Sequence, residues 1–216
     1  MARQRRTHDP GDRAGQANHL DGVIPMNQRL TFSLPSWMSP FEQSWRGGGE
    51  ATRMAFVIQA ARRNVHERTG GPFAAAVFES DSGALVSLGV NLVTSEQLSM
   101  LHAEMVAIAF AQRRLGRRDL GRSDCPRLEI VTSVEPCAMC FGAIPWSGLR
   151  RVVSGATDAD ARAIGFDEGP KPRDWTRPLA ERGIEVRTEV MRADAKSVLE
   201  EYARTGGVIY SPCDRH

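Results

Sequence analysis

The 216 residues contain no apolar stretch near the ~18 that a membrane span requires; the longest unbroken run, Met105 to Ala111, is far too short. Cysteine is sparse. Four unevenly placed residues cannot form a disulfide scaffold, and a chain of this length builds its core without one. The N-terminal segment lacks the apolar core of a secretory signal, although Arg5 and Arg6 stand side by side in it. No internal repeat and no low-complexity tract interrupts the sequence. These absences predict a cytoplasmic protein with reduced thiols and no membrane partner. Charge of one sign is scarce too: the formal net charge is only +2. Residues 1–30 hold five Arg against three Asp, so the remainder balances at 23 against 23. The basic excess therefore lies in an N-terminal arm, and the body has no surplus with which to hold phosphates. No nucleic-acid partner is expected.

What is present reads as one domain with extensions. Residues 1–30 are polar and aperiodic, with Gly11, Gly15, Gly22 and Pro10, which predicts a disordered arm, with Met26 as an alternative start. Residues 31–49 read as an extended segment pinned by Trp37 and Trp45 and closed by a Gly47-Gly48-Gly49 joint. From Glu50 the apolar residues Met54, Val57, Ile58, Ala61 and Val65 fall on one helical face, ended by Gly70-Gly71. Strands are predicted at 73–79, 84–90, 127–133, 151–156 and 184–190, with helices at 102–115, 136–146, 158–164 and 193–203 and a loop at 165–178. A hairpin followed by alternating units implies an α/β fold, a three-layer α/β/α sandwich with a mixed sheet of about five strands. The domain spans 50–204, and 205–216 is a tail.

Two short segments carry chemistry. His102-Ala103-Glu104 opens one helix and Pro136-Cys137-Ala138-Met139-Cys140 opens the next. Cys137 and Cys140 share a helix face, and a helix N-terminus favours thiolate. Two thiolates and an imidazole form a three-ligand zinc set that leaves the fourth position to water. Glu104, two residues from His102, points away from the metal and can act as a base on that water. Taken singly, these residues fit a redox pair, a capping histidine and a solvated glutamate. A closed structural zinc site would need a fourth ligand, for which neither Cys125 nor Cys213 is spaced. The same holds for His8, His19, His66 and His216, which belong to no motif.

His-x-Glu followed by Pro-Cys-x-x-Cys is the signature of the zinc nucleobase deaminases. From Gly70 to about Trp175 the chain resembles the cytidine-deaminase-like superfamily. Within it the chain is similar to the bacterial guanine deaminases, through GGPFAAAVF (70–78), Asn91, HAEMVAI (102–108), TSVEPCAMCFGAIPWSG (132–148), AIGFDEGP (163–170) and GGVIY (206–210). The resemblance implies one Zn2+ per subunit and conversion of guanine to xanthine and ammonia, with a zinc-bound hydroxide attacking and Glu104 shuttling the proton. It also implies a second acid after the Gly-Phe pair, Glu168 in preference to Asp167. Asn91 would read the purine edge. Phe73, Ala103, Trp146 and Asp167 would line the base site, and Tyr210 would close it, from its own chain or from a partner in a domain-swapped homodimer. Alternatives that keep the mechanism are an amino-triazine such as ammeline, guanosine or cytosine. A tRNA adenosine fits less well, because the last helix carries Asp194, Glu200 and Glu201.

Overall fold

The computed structural model describes residues 30–210, and from Ser33 onward they belong to one compact unit. The described elements are α1 (Met38–Gln43), α2 (Glu50–His66), β1 (Ala74–Glu79), β2 (Leu85–Val90), α3 (Val93–Glu96), α4 (Ala103–Leu115), β3 (Leu128–Val134), α5 (Ala138–Ser147), β4 (Arg151–Ala156), α6 (Asp158–Ala163), α7 (Thr176–Ala180), β5 (Glu185–Arg187) and α8 (Arg192–Arg204). The strands form a mixed sheet in the order β2-β1-β3-β4-β5. β1 runs antiparallel to β2 and β3, while β3, β4 and β5 are parallel. This is the mixed five-stranded α/β architecture that the sequence predicts.

The central strands are apolar on both faces because both are covered. On one face Ala75, Val77, Ile130 and Val152 join Ala107 and Ala111 of α4, Ile144 of α5 and Leu179 of α7 in one core. On the other, Phe78 meets Phe56 of α2 and Trp45, and Gly155 faces Met54 and Ala195. The two-residue alternation of a strand distributes these side chains between the layers. Gly89 sets the depth of α4. A Cβ there would lie 2.3 Å from the Ala103 carbonyl oxygen and 2.5 Å from the Ala107 nitrogen. Any larger residue would push the start of α4, and with it His102 and Glu104, off the sheet. β3 ends at Val134 and passes through Glu135-Pro136-Cys137 into α5. Both metal-motif helices therefore begin at the same end of the sheet.

Three segments differ from expectation. Residues 31–49 are not simply extended, since α1 occupies 38–43. Its aromatics pin it as anticipated, with Phe41 stacked on Phe56 at 4.6 Å and Trp45 tilted against Phe78 at 5.2 Å. The 165–178 loop already enters α7 at Thr176. The last strand is three residues long rather than seven, because Glu189 and Met191 adopt left-handed conformations (φ 61° and 52°) that turn the edge of the sheet into α8. The readings of 1–30 fall outside the described residues except at Leu30, as do those of 211–216, which include Cys213 and His216.

Candidate metal centre and base pocket

His102 is the N-cap of α4 and Cys137 the N-cap of α5, both in extended conformation, with Cys140 buried in the first turn of α5. Their side chains converge. His102 Nδ1 lies 3.4 Å from Cys137 Sγ and 3.7 Å from Cys140 Sγ. In a tetrahedral site with Zn–S of about 2.3 Å and Zn–N of about 2.0–2.1 Å, the sulfur-to-nitrogen edge is about 3.6 Å. The donor set thus fits zinc by type and by spacing. Among the described residues the cluster consists of these three and does not include Cys125. Cys125 instead contacts Arg117. His66 is likewise elsewhere, paired with Glu201 at 2.6 Å. Hydrogen bonding from Cys140 holds Cys137 down at about 4 against the opposing effect of burial, with His102 assisting, while Cys140 is pushed well above the ordinary thiol range.

Glu104 is buried in the first turn of α4. Thr132 of β3 donates to its Oε1 at 3.2 Å, and the Cys140 thiol lies 3.4 Å from Oε2. Burial first, then the Cys137 thiolate, raises its pKa, partly offset by His102. Glu168 is also buried, and burial followed by Cys137, Glu104 and Asp158 pushes it up to about 8, with Lys171 opposing. Two buried carboxyl groups, both with raised pKa values, therefore face one metal cluster. A cation bound there would lower both.

Glu168 is held where it is by the start of α5. Its carbonyl accepts from Ala138 N at 2.9 Å, and Lys171 Nζ donates to the Pro136 carbonyl at 2.9 Å. Asp167 faces outward by comparison. Its exposed carboxylate turns the loop by accepting from Gly169 N at 2.9 Å and lies 3.5 Å from Arg162.

Phe73, Asn91, Ala103, Asp167, Glu168 and Tyr210 line a single pocket with His102, Glu104 and Cys137. Trp146 does not belong to it. It is 90% exposed on the outer face of α5, because the turn that brings Cys137 and Cys140 inward directs position 146 to the surface. Phe166 lines it instead, meeting Phe73 edge-on at 4.8 Å and Tyr210 at 5.4 Å. Its place in the Gly165-Phe166-Asp167-Glu168 motif was the available signal for it. Thr132, which positions Glu104, had none beyond its place in the TSVEPC stretch. Tyr210 closes the pocket of its own chain. Its hydroxyl accepts from Asn91 Nδ2 at 2.6 Å, and the space left is about 30 Å3. That is room for water but not for a heterocycle.

The fold and this ligand set define a zinc-dependent deaminase of the cytidine-deaminase-like class, and sequence comparison agrees. The model of the cytidine and deoxycytidylate deaminase zinc-binding region matches residues 50–156. A guanine deaminase of Bacillus subtilis is 36% identical over 127 residues, which cover 59% of this chain and 77% of that protein. A guanine deaminase structure from Nitrosomonas europaea superposes with a TM-score of 0.79 at 43% identity, covering 83% of this chain and 98% of that one. A structure solved in complex with 2,6-diaminopurine gives a TM-score of 0.80 at 44% identity, covering 86% and 98%. The chain belongs to the guanine deaminase family.

Proposed function

We propose that this protein deaminates guanine to xanthine, with one zinc per subunit held by His102, Cys137 and Cys140. The observation that carries this reading is the meeting of two buried carboxyl groups, Glu104 and Glu168, with the Asn91 amide in one aromatic-walled pocket beside the metal cluster. Zinc, when bound, supplies a water acidic enough to serve as nucleophile. Glu104 holds and moves the proton between that water and the ring nitrogen. Glu168 offers a second proton-carrying group for the departing amine. Asn91 presents a donor and an acceptor to the purine edge, and Phe73 and Phe166 bound the plane of the base. The guanine deaminase relatives, among them a structure with 8-azaguanine bound, support guanine over the other heterocycles.

Residues 50–204 form the catalytic domain in this reading, 31–49 brace it and 205–216 act as a lid. A homodimer is supported by the apolar surface of α5, where Trp146 is 90% and Met139 39% exposed. The need to keep ligand thiols reduced supports a cytoplasmic location. Among the described residues no helix is long and apolar enough to cross a membrane. The test is ammonia release by the zinc-loaded protein from guanine, ammeline, guanosine, cytosine and tRNA. Guanine is expected to give the highest kcat/KM, and a higher value for another compound would replace it as substrate.

A further inference from the structure

The side chain of Asn64 lies outside the pocket yet touches the two backbone segments that form its base-binding wall. It sits on α2 and is 0% exposed. Its Nδ2 donates to the Gly71 carbonyl at 2.8 Å and to the Asn91 carbonyl at 2.9 Å. The first segment leads within two residues to Phe73, and the second carries the Asn91 amide itself. The segments are also joined directly, by Asn91 N donating to the Phe73 carbonyl at 3.0 Å.

The orientation of the Asn64 amide is determined by its other end. Oδ1 accepts from the Thr69 hydroxyl at 2.7 Å, and that hydroxyl in turn accepts from Trp37 Nε1 at 3.1 Å. Both hydrogens of one NH2 group are thus committed to two buried carbonyls. Among side chains of this length only Asn offers two donors from one atom together with an acceptor. Asp would oppose both carbonyls with oxygen, and Ser has one hydrogen to give. The backbone is shaped for this clamp. A Cβ at Gly70 would lie 1.8 Å from the Asn91 carbonyl oxygen and 2.9 Å from Asn64 Nδ2.

We infer that Asn64 is a positioning residue that holds Asn91 and Phe73 in register with the metal cluster and so sets substrate affinity. The inference rests on the reading of Asn91 as the group that reads the base. A buried carbonyl left without its donor loses the partner that offset its desolvation. The segment can recover that loss only by moving, which displaces the Asn91 amide.

The test uses the full-length zinc-loaded protein and steady-state kinetics. Asn64→Asp is expected to raise KM for guanine at least tenfold while kcat falls less than threefold and zinc content stays at one per chain. A structural role alone would lower the melting temperature or the active fraction and leave KM unchanged, and that result overturns the inference. In an Asn91→Ala background, Asn64→Asp should change KM less than twofold, because the residue it acts through is gone; additive effects overturn the inference as well. Should Asn64→Asp fail to fold, Thr69→Val removes the hydroxyl that orients the amide and should raise KM two- to fivefold. An unchanged KM in that variant counts against the inference in the same way. If the wild-type protein releases no ammonia from guanine, the proposed substrate fails separately, and the same KM comparison is made on the compound of the panel it does deaminate.

Discussion

At the scale of single residues, chemistry depends on where a carboxyl group can keep a proton. Glu104 and Glu168 are ordinary acids in sequence. Burial beside the Cys137 thiolate raises both. Glu104 also stands next to the ligand set without joining it, so metal binding and proton transfer are separable. Replacing Glu104 by Gln is expected to leave about one zinc per chain, measured by metal analysis, and to lower kcat by about 10²–10⁴-fold, the range of a lost general acid-base. Cys137→Ala should lose zinc as well as turnover. A Glu104→Gln enzyme with wild-type kcat would remove Glu104 from the reaction. The motif spacing made the proposed roles of Glu104 and the ligand set legible, because His-x-Glu and Cys-x-x-Cys place their side chains through local helix geometry alone. Asn91 and Tyr210 could be nominated only through resemblance, since the hydrogen bond between them joins residues 119 positions apart.

At the scale of elements, α6 shows how a short helix is anchored. Thr157 and Asp160 form a capping box, and Asp160 also accepts from Arg192 of α8 at 2.8 Å. The hydrogen bond from Arg192, with those from Thr157, holds the Asp160 carboxyl far below the ordinary carboxylate value. An unfolded aspartate titrates at about 3.9. Because the folded value is lower, the stabilisation is complete above the unfolded pKa and is lost as pH falls below it. Asp160→Asn should therefore cost about 1 kcal/mol near pH 7, and the difference from wild type should shrink as pH drops below about 4. Denaturant unfolding across that range checks it; a pH-independent difference would show that the carboxylate charge contributes nothing. Element boundaries followed the sequence wherever periodicity was strong, as in α2 and α4. They failed at β5, which the left-handed Glu189 and Met191 cut short although β4 continues to Ala156, and at α1, whose aromatics gain a helical turn only by packing on Phe56 and Phe78.

At the scale of the whole molecule, two features of the surface make separate predictions. The tail reaches back to Asn91, and Tyr210 lines the pocket. Tyr202, on α8, anchors it by donating to the Val208 carbonyl at 2.8 Å. Removing residues 206–216 should leave the melting temperature of the body nearly unchanged and abolish turnover, since the lid contributes to the closed site and little to the core. Unchanged kinetics of the truncated protein would exclude a lid. Trp146→Glu places a charge on the exposed face of α5 and should convert a dimer to a monomer by sedimentation, with the zinc cluster intact. A wild-type protein that sediments as a monomer would exclude that interface.

The sequence by itself determined the α/β class, the proposed metal ligands and the neutral body that disfavours polyanions, since each follows from local spacing, periodicity or charge count. Only the tertiary structure decided which residues share the pocket. It moved Trp146 to the surface, brought in Phe166, left Asp167 exposed on the pocket lining and buried Glu168. The reason is physical: burial and mutual approach between distant segments depend on how α4, α5 and the tail meet around the end of the sheet, and no local pattern encodes that meeting.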